Sequence, residues 1–230
     1  MKPTYRYFVQ PQVNTATKTI VGYELLMKQL TPAGWRLPDD FAAIDSQTIA
    51  DLLIATTKVL SLKVLYCSIN VSREQLMTTS IAQAIIKSQQ QLYPTKLVVE
   101  LTEEDGPENY PLSALMPVLQ SFIDQGLQLS LDDVGTGDNY FSDVQTLLPL
   151  VSEMKFALQN YKLSFHDPKM QQRVHFWRAM SVEYGLRLVL EGVEDAADNA
   201  LSQKLGIKYK QGYYFSKPQL LKLPGDLKFA

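Results

Sequence analysis

Eight polar side chains lie within or directly after short apolar runs of this sequence, and five of them are carboxylates. Runs such as KLVVE, LQLSLDD and LRLVLE are typical of buried strands, where a charged group is costly unless it is paired. The full set is Glu24, Asn70, Glu100, Asp132, Asp133, Lys155, Glu191 and Gln211. Oxygen ligands of this kind suit hard divalent ions such as Mg²⁺ or Mn²⁺, and the chain has few imidazole or thiol groups to offer instead. The set therefore predicts an oxygen-lined metal site.

The carboxylates of this set carry far more negative charge than its single ammonium group, that of Lys155, can balance. Like charges in one small cavity cannot all stay ionised unless cations neutralise them. Two ions about 3.5–4 Å apart, bridged by one carboxylate, suit the attack of water on a phosphodiester. A single carboxylate at a strand end is more often a helix cap or a salt-bridge partner, but the set as a whole favours the metal site. Two alternatives stay open for Lys155. It orients or helps deprotonate the attacking water and stabilises charge on the phosphate, or it forms a structural salt bridge.

These side chains must be positioned by the strands that the apolar runs predict. Helical spacing separates most of the runs, and strands that alternate with helices pair in parallel through right-handed crossovers. The eight predicted strands cover about residues 5–9, 20–27, 64–70, 96–101, 128–132, 153–157, 187–191 and 209–214. In a closed α/β barrel the carboxyl ends of the strands converge on one rim, where active sites are built. We therefore predict a barrel with one polar rim, and an open doubly wound sheet is the alternative.

Two local patterns refine this barrel. The polar connection at residues 14–19 is too short for a crossover helix, so the first two strands should form an antiparallel hairpin. The run Asp124-Gln125-Gly126 is typical of a helix end, with glycine in the left-handed cap. The predicted helices cover about residues 41–59, 76–86, 112–123 and 174–182.

Composition argues against several classes of function. The net charge is −2, from 22 basic and 24 acidic residues without a long basic run, so there is no electrostatic footprint for a nucleic-acid polymer. The one cysteine, Cys67, excludes a disulfide framework and a CxxC metal site. No apolar run approaches the roughly 20 residues that cross a bilayer, and the first residues lack the apolar segment of a signal peptide. We therefore expect one cytoplasmic α/β domain over residues 1–230, without membrane insertion.

Seven motifs, in order along almost the whole chain, resemble those of a known family. They are VGYELLMK, SINVS, VVELTE, LDDVGTG, MKFA, LEGVE and QGYYFSKP. The sequence resembles the EAL-domain phosphodiesterases, hydrolases that open the bacterial second messenger cyclic di-GMP to linear pGpG and so act in signal transduction. The resemblance implies a modified TIM (β/α)8 barrel with one antiparallel strand near the N-terminus. It also implies Mg²⁺ or Mn²⁺ in a two-metal site, cyclic di-GMP as the ligand, and a homodimer.

The resemblance also implies a role for each matching residue. The implied metal ligands are Glu24, Asn70, Glu100 and Asp132 for one ion, and Asp132 and Asp133 for the second. The implied catalytic residues are Lys155, Glu191, Gln211 and Glu103. The implied substrate contacts are Gln10, Lys28 and Glu194. In this scheme Lys155 and Glu191 position or activate the water, whereas Glu103 steadies the loop after the aspartate pair.

Departures from the family pattern motivate a second hypothesis. Lys28 replaces the usual arginine and loses its planar, bidentate grip on a phosphate. Ala157 stands where the lysine motif usually has an aspartate, and the loop after Asp133, VGTGDNYFSD, differs from that of the family. The leading hypothesis is a metal-dependent cyclic di-GMP phosphodiesterase. The alternative is a weak or inactive domain that serves as a cyclic di-GMP receptor or a protein-interaction module.

Overall fold

The computed structural model describes residues 4–41, 43–102, 110–136 and 140–226. Its strands are β1 Thr4–Asn14, β2 Thr19–Thr31, β3 Gly34–Arg36, β4 Tyr66–Val71, β5 Lys96–Leu101, β6 Gln128–Leu131, β7 Glu153–Ala157, β8 Arg187–Glu191, β9 Tyr209–Lys210 and β10 Gln219–Leu220. Its helices are α1 Ser46–Leu60, α2 Arg73–Met77, α3 Thr79–Leu92, α4 Leu112–Asp124, α5 Phe141–Val144, α6 Pro168–Glu183 and α7 Ala196–Lys204, with a 3₁₀ turn at Leu158–Asn160.

Eight of these strands close into a barrel. The order along the sheet is β10-β1-β9-β8-β7-β6-β5-β4-β2-β3, and an additional pairing of β1 with β2 closes the ring. The pairs from β2 through β9 are parallel, whereas β1 is antiparallel to both of its barrel neighbours, β2 and β9. The predicted barrel and its N-terminal antiparallel strand are therefore confirmed, and the doubly wound alternative is wrong. The short strands β3 and β10, which the sequence did not predict, lie outside the ring.

Strand alternation divides each barrel strand into two faces. In β7, Met154 and Phe156 are fully buried in the hydrophobic core, while Lys155 between them joins the carboxylates of the barrel interior. In β5, Leu97 and Val99 lie in the same core, and Glu100 points to the opposite face. The apolar faces pack beneath the surrounding helices, so the barrel interior is left for polar groups at the carboxyl ends of the strands.

Capping residues set the bounds of the helices. Helix α1 begins at Ser46 rather than near residue 41, because the Asp45 side chain accepts the Thr48 backbone N–H as an N-cap. Helix α4 ends where the sequence predicts, since Gly126 has a φ of +85° and its N–H donates to the carbonyl of Ile123. Helices α2, α5 and α7 were not predicted, because each is short and has a weak apolar period.

Substitution of a core leucine should show how much the helical layer stabilises the barrel. Leu119 of α4 is 0% exposed, whereas Leu62 in a turn is 98% exposed. We expect Leu119→Ala to lower the free energy of unfolding by about 2–5 kcal/mol, because it removes buried methyl groups and leaves a cavity. Leu62→Ala is the matched control and should change it by less than about 0.5 kcal/mol. Urea denaturation followed by circular dichroism measures both, and equal effects would contradict the described packing.

Candidate metal centre

The Lys155 ammonium group lies at the centre of the polar rim. Its Nζ is 2.8 Å from Oε2 of Glu100 and 2.8 Å from Oε1 of Glu191. The same atom is 3.2 Å from Oδ1 of Asp132 and 3.7 Å from Oε2 of Glu24. Glu24 lies within β2, whereas the other three carboxylates lie at or just after the ends of β5, β6 and β8, so one side chain of β7 connects four strands. The structure therefore brings together the predicted acidic residues and the predicted lysine.

Amide side chains also orient the Glu24 carboxylate. Asn70 Nδ2 donates to Oε1 of Glu24 at 2.8 Å, and Gln211 Nε2 donates to Oε2. The Gln211 amide also lies 3.2 Å from Oε1 of Gln10, whose Nε2 donates to the carbonyl of Ser216. Glu24 is thus held by Asn70 of β4 and by Gln211, which directly follows β9, and both of its oxygens have partners.

Three carboxylates converge near the mouth of the site. Asp132, Asp133 and Glu191 each offer an oxygen, and these oxygens all lie within 4.8 Å of one another. Beneath them, Glu100 is completely buried, and its Oε1 atom has no hydrogen-bond partner in the described part of the chain. A buried anionic oxygen of this kind calls for a cation or a proton, because an unpaired buried charge is costly. The all-oxygen set therefore fits hard divalent cations.

The pKa values of the cluster reflect crowding of like charges. Burial raises the pKa of Glu191 to about 8 and that of Asp132 to about 6, and both shifts occur in spite of the opposing charge of Lys155. Burial also raises the pKa of Glu100 well above its usual range. Burial acts on Glu24 in the same sense, but Lys155 and the hydrogen bond from Asn70 outweigh it and leave the pKa lowered. Without a bound cation, the cluster therefore holds protons near neutral pH.

Lys155 itself stays protonated. Burial lowers the pKa of its ammonium group, but the surrounding carboxylates outweigh burial and raise that pKa well above its ordinary value. A lysine that remains a cation cannot act as a proton acceptor in the site. Its ammonium group can instead stabilise negative charge on a ligand or orient a water molecule.

An open cavity of about 450 Å³ lies above these groups. The predicted site residues that line it are Gln10, Glu24, Asp132, Asp133, Lys155, Glu191, Glu194 and Gln211. Residues of the lining that the sequence did not predict for the site are Leu26, Gln159, Gly192, Gly212, Tyr213 and Pro218. Gln159 belongs to the 3₁₀ turn that follows β7. Its position just after a barrel strand is the sequence feature that could have predicted a place in the site.

The structure does not bring the Lys28 side chain to this cavity. The Lys28 side chain is not part of the cavity lining, and its Nζ lies 4.6 Å from the centre of the Phe8 ring. Glu103 lies outside the described residues, as do residues 137–139 of the altered loop. The position of the missing aspartate, Ala157, is 1% exposed and packed at the end of β7. The roles assigned to Lys28 and Glu103 stay predictions.

The profile of the EAL domain family matches residues 4–218 of this chain. The chain belongs to the EAL domain family. Two curated relatives are similar in sequence to this EAL domain. The signaling protein YkoW of Bacillus subtilis is 29% identical over 91% of this chain and 27% of its own length. The cyclic di-GMP phosphodiesterase PdeR of Escherichia coli is 32% identical over 66% of this chain and 22% of its own length. The chain thus spans about a quarter of each of these curated relatives.

Solved EAL structures share the fold. An EAL domain protein from Listeria monocytogenes has a TM-score of 0.77 at 24% identity, and the match covers 94% of this chain and 89% of that one. A standalone EAL protein from Vibrio cholerae in a c-di-GMP bound form has a TM-score of 0.74 at 22% identity, with 97% and 96% covered. The barrel described above is therefore the EAL barrel. Among its described residues, no helix is both long and apolar enough to span a membrane.

Binding of divalent ions should stabilise this EAL domain. We expect the melting temperature to rise with Mg²⁺ or Mn²⁺, and the apparent gain is about 2.7 kcal/mol when the free ion is at 100 times its Kd. Asp132→Asn should lose most of this gain, because it removes a carboxylate shared by the converging oxygens. Differential scanning fluorimetry with and without the ion measures the effect. The exposed helical variant Asp51→Asn should keep the full gain, and equal losses in both variants would argue against the metal centre.

Proposed function

We propose that this EAL domain is a metal-dependent phosphodiesterase that hydrolyses cyclic di-GMP to linear pGpG. The observation that carries the proposal is a protonated lysine held among four carboxylates at the base of an open cavity, with Asp133 as a fifth carboxylate close to two of them. The name of the relative PdeR and the nucleotide in the Vibrio cholerae structure support cyclic di-GMP as the substrate.

The proposed ion sites use the oxygens already described. Glu24, Asn70, Glu100 and Asp132 would hold one divalent ion, and Asp132 with Asp133 would take part in holding the second. When bound, the ions would lower the pKa of a water molecule and neutralise charge on the phosphodiester. The unpartnered oxygen of Glu100 and the raised pKa of Asp132 support this assignment, since both groups favour a nearby cation.

The chain's own residues would then complete the reaction. Glu191, 2.8 Å from the Lys155 ammonium, would accept a proton from the attacking water once bound cations keep its carboxylate ionised. The Lys155 ammonium would stabilise the charge that develops on the phosphate oxygens. One P–O bond forms to the water and one ester P–O bond breaks, so that the leaving ribose hydroxyl takes up a proton. Gln211 would act by holding Glu24 in place.

The remaining predicted residues would act on the substrate side. Gln10 and Glu194 line the cavity and would contact the nucleotide, whereas Lys28 would reach it only from the edge, because its ammonium packs over Phe8. Glu103 is proposed to steady the loop after the aspartate pair. We also propose one domain over residues 1–230 that acts in the cytoplasm as a homodimer.

The proposed activity is tested directly by incubating the protein with cyclic di-GMP and Mg²⁺ or Mn²⁺ and detecting pGpG by chromatography. We expect Glu24→Ala to lower turnover by more than about 100-fold, because even groups that only support metal ligands contribute about 10–100-fold. Glu183→Ala, an exposed change at the end of α6, should keep wild-type turnover. A folded wild-type protein that gives no pGpG with either ion would refute the phosphodiesterase, and undiminished turnover in Glu24→Ala would refute the ligand assignment.

One observation favours a second candidate, a cyclic di-GMP receptor without turnover. Ala157 places a buried methyl group where the resemblance implies an aspartate beside the lysine motif, and Lys28 lacks the bidentate grip of arginine. A receptor should bind cyclic di-GMP tightly in calorimetry and yield no pGpG with either ion. Absence of any binding would leave only a protein-interaction role.

A further inference from the structure

The turn after the aspartate pair adopts an unusual backbone. Asp133 has a φ of +50°, in the left-handed region that residues other than glycine seldom occupy. Its neighbour Gly135 has a φ of +93°. Strand β6 ends at Leu131, two residues before Asp133. With this backbone conformation, the Asp133 carboxylate lies beside those of Asp132 and Glu191. Something outside the turn must hold it, because an isolated chain would favour other conformations.

Three of the hydrogen bonds that hold the turn come from the backbone or from the turn itself. The Val134 N–H donates to the carbonyl of Lys155 at 3.0 Å, which ties the turn to β7. The Thr136 hydroxyl and N–H both donate to the carbonyl of Asp133, at 2.7 and 3.2 Å. None of these three bonds involves the Gly135 carbonyl, which is held by a group outside the turn.

The Gly135 carbonyl accepts a hydrogen bond from the Tyr161 hydroxyl at 3.0 Å. The approach is close, since a Cβ at Gly135 would lie 2.7 Å from that hydroxyl oxygen and 2.8 Å from Nε1 of Trp177. A side chain 26 positions further along the sequence thus supplies a hydrogen bond to the turn from outside it.

Tyr161 is itself rigidly held. Its ring stacks on that of Phe156 with 5.3 Å between the ring centres and 13° between the planes. The guanidinium carbon of Arg173 on α6 lies 5.1 Å from the centre of the Tyr161 ring. Phe156 is completely buried and is the neighbour of Lys155 in β7. The hydroxyl is therefore anchored to the same strand that carries the central lysine.

We propose that Tyr161 is a positioning residue for the second cation: its hydroxyl fixes the Gly135 carbonyl and so keeps the Asp133 carboxylate beside Asp132 and Glu191. The inference rests on the two-ion site proposed above. It assigns a task to a residue that lies outside the cavity lining and outside the seven motifs. Side chains that orient metal ligands are part of a metal site, because a misaligned ligand binds the ion weakly.

The test is Tyr161→Phe, which removes one hydroxyl and keeps the stacked ring. Mn²⁺ is titrated into the nucleotide-free protein and followed by isothermal calorimetry. We expect two ions to bind the wild-type protein, and in Tyr161→Phe we expect the affinity for one ion to be unchanged and that for the other to fall about 10-fold. The control Tyr184→Phe, the same change in a partly buried tyrosine at the end of α6, should leave both affinities unchanged. If Tyr161 only packs, its variant lowers the melting temperature and leaves both affinities unchanged, and this result would overturn the proposal.

A double-mutant cycle shows whether Tyr161 acts through Asp133. Asp133→Asn should lower the affinity for the same ion. Adding Tyr161→Phe to this variant should lower that affinity little further, because both changes remove the contribution of a correctly placed Asp133 carboxylate. Losses in affinity that simply add would overturn the proposal. Hydrolysis offers a separate readout, in which excess Mn²⁺ should restore the turnover of Tyr161→Phe. A wild-type protein that binds two ions but releases no pGpG would refute the proposed hydrolysis and leave the calorimetric test of Tyr161 intact.

Discussion

The interaction on which the structure depends is the buried ammonium group of Lys155 among the carboxylates of Glu24, Glu100, Asp132 and Glu191. Burying these charges is costly, and removing one partner from a buried ionic contact typically costs about 3–5 kcal/mol, because it leaves uncompensated charge. One cation here serves four anions that come from four strands. The barrel must therefore close around Lys155 with each strand in register, and any slip would carry a carboxylate to the apolar outer face.

Charged side chains are paired differently at the opposite end of the barrel interior. There, Nε of Arg187 lies 3.0 Å from Oε2 of Glu153, and a second guanidinium nitrogen donates to Oε1 of Gln128 at 3.1 Å. The same guanidinium lies 4.4 Å from the centre of the Tyr66 ring. Here a guanidinium pairs with a single carboxylate, whereas the Lys155 ammonium at the rim faces four of them. The excess at the rim is the charge that the proposed divalent ions would neutralise.

Much of this arrangement could be predicted from the sequence, because strand alternation and the convergence of strand ends are general properties of barrels. The run SEMKFAL placed Lys155 inward and its neighbours in the core, as the structure confirms. Other features depend on tertiary contacts that no local pattern encodes. The packing of Lys28 over Phe8 follows from the pairing of β1 with β2, and the place of Gln159 follows from a 3₁₀ turn. The left-handed backbone of Asp133 depends on contacts from β7 and Tyr161, so the motif LDDVGTG alone could not predict it.

The strand β1 lies between β2 and β9, so the first and last strands of the ring meet at one seam. Across this seam the Gln211 amide contacts Gln10, which is 201 positions earlier in the chain, and also Glu24. Contacts between such distant positions make folding slow, because a long loop must be closed before they can form. During synthesis, a ribosome-bound chain that has not yet emerged as far as Gln211 therefore lacks the group that orients Glu24. In such a chain Asn70 can already hold one oxygen of Glu24, and the other oxygen gains its amide partner only when β9 closes the ring.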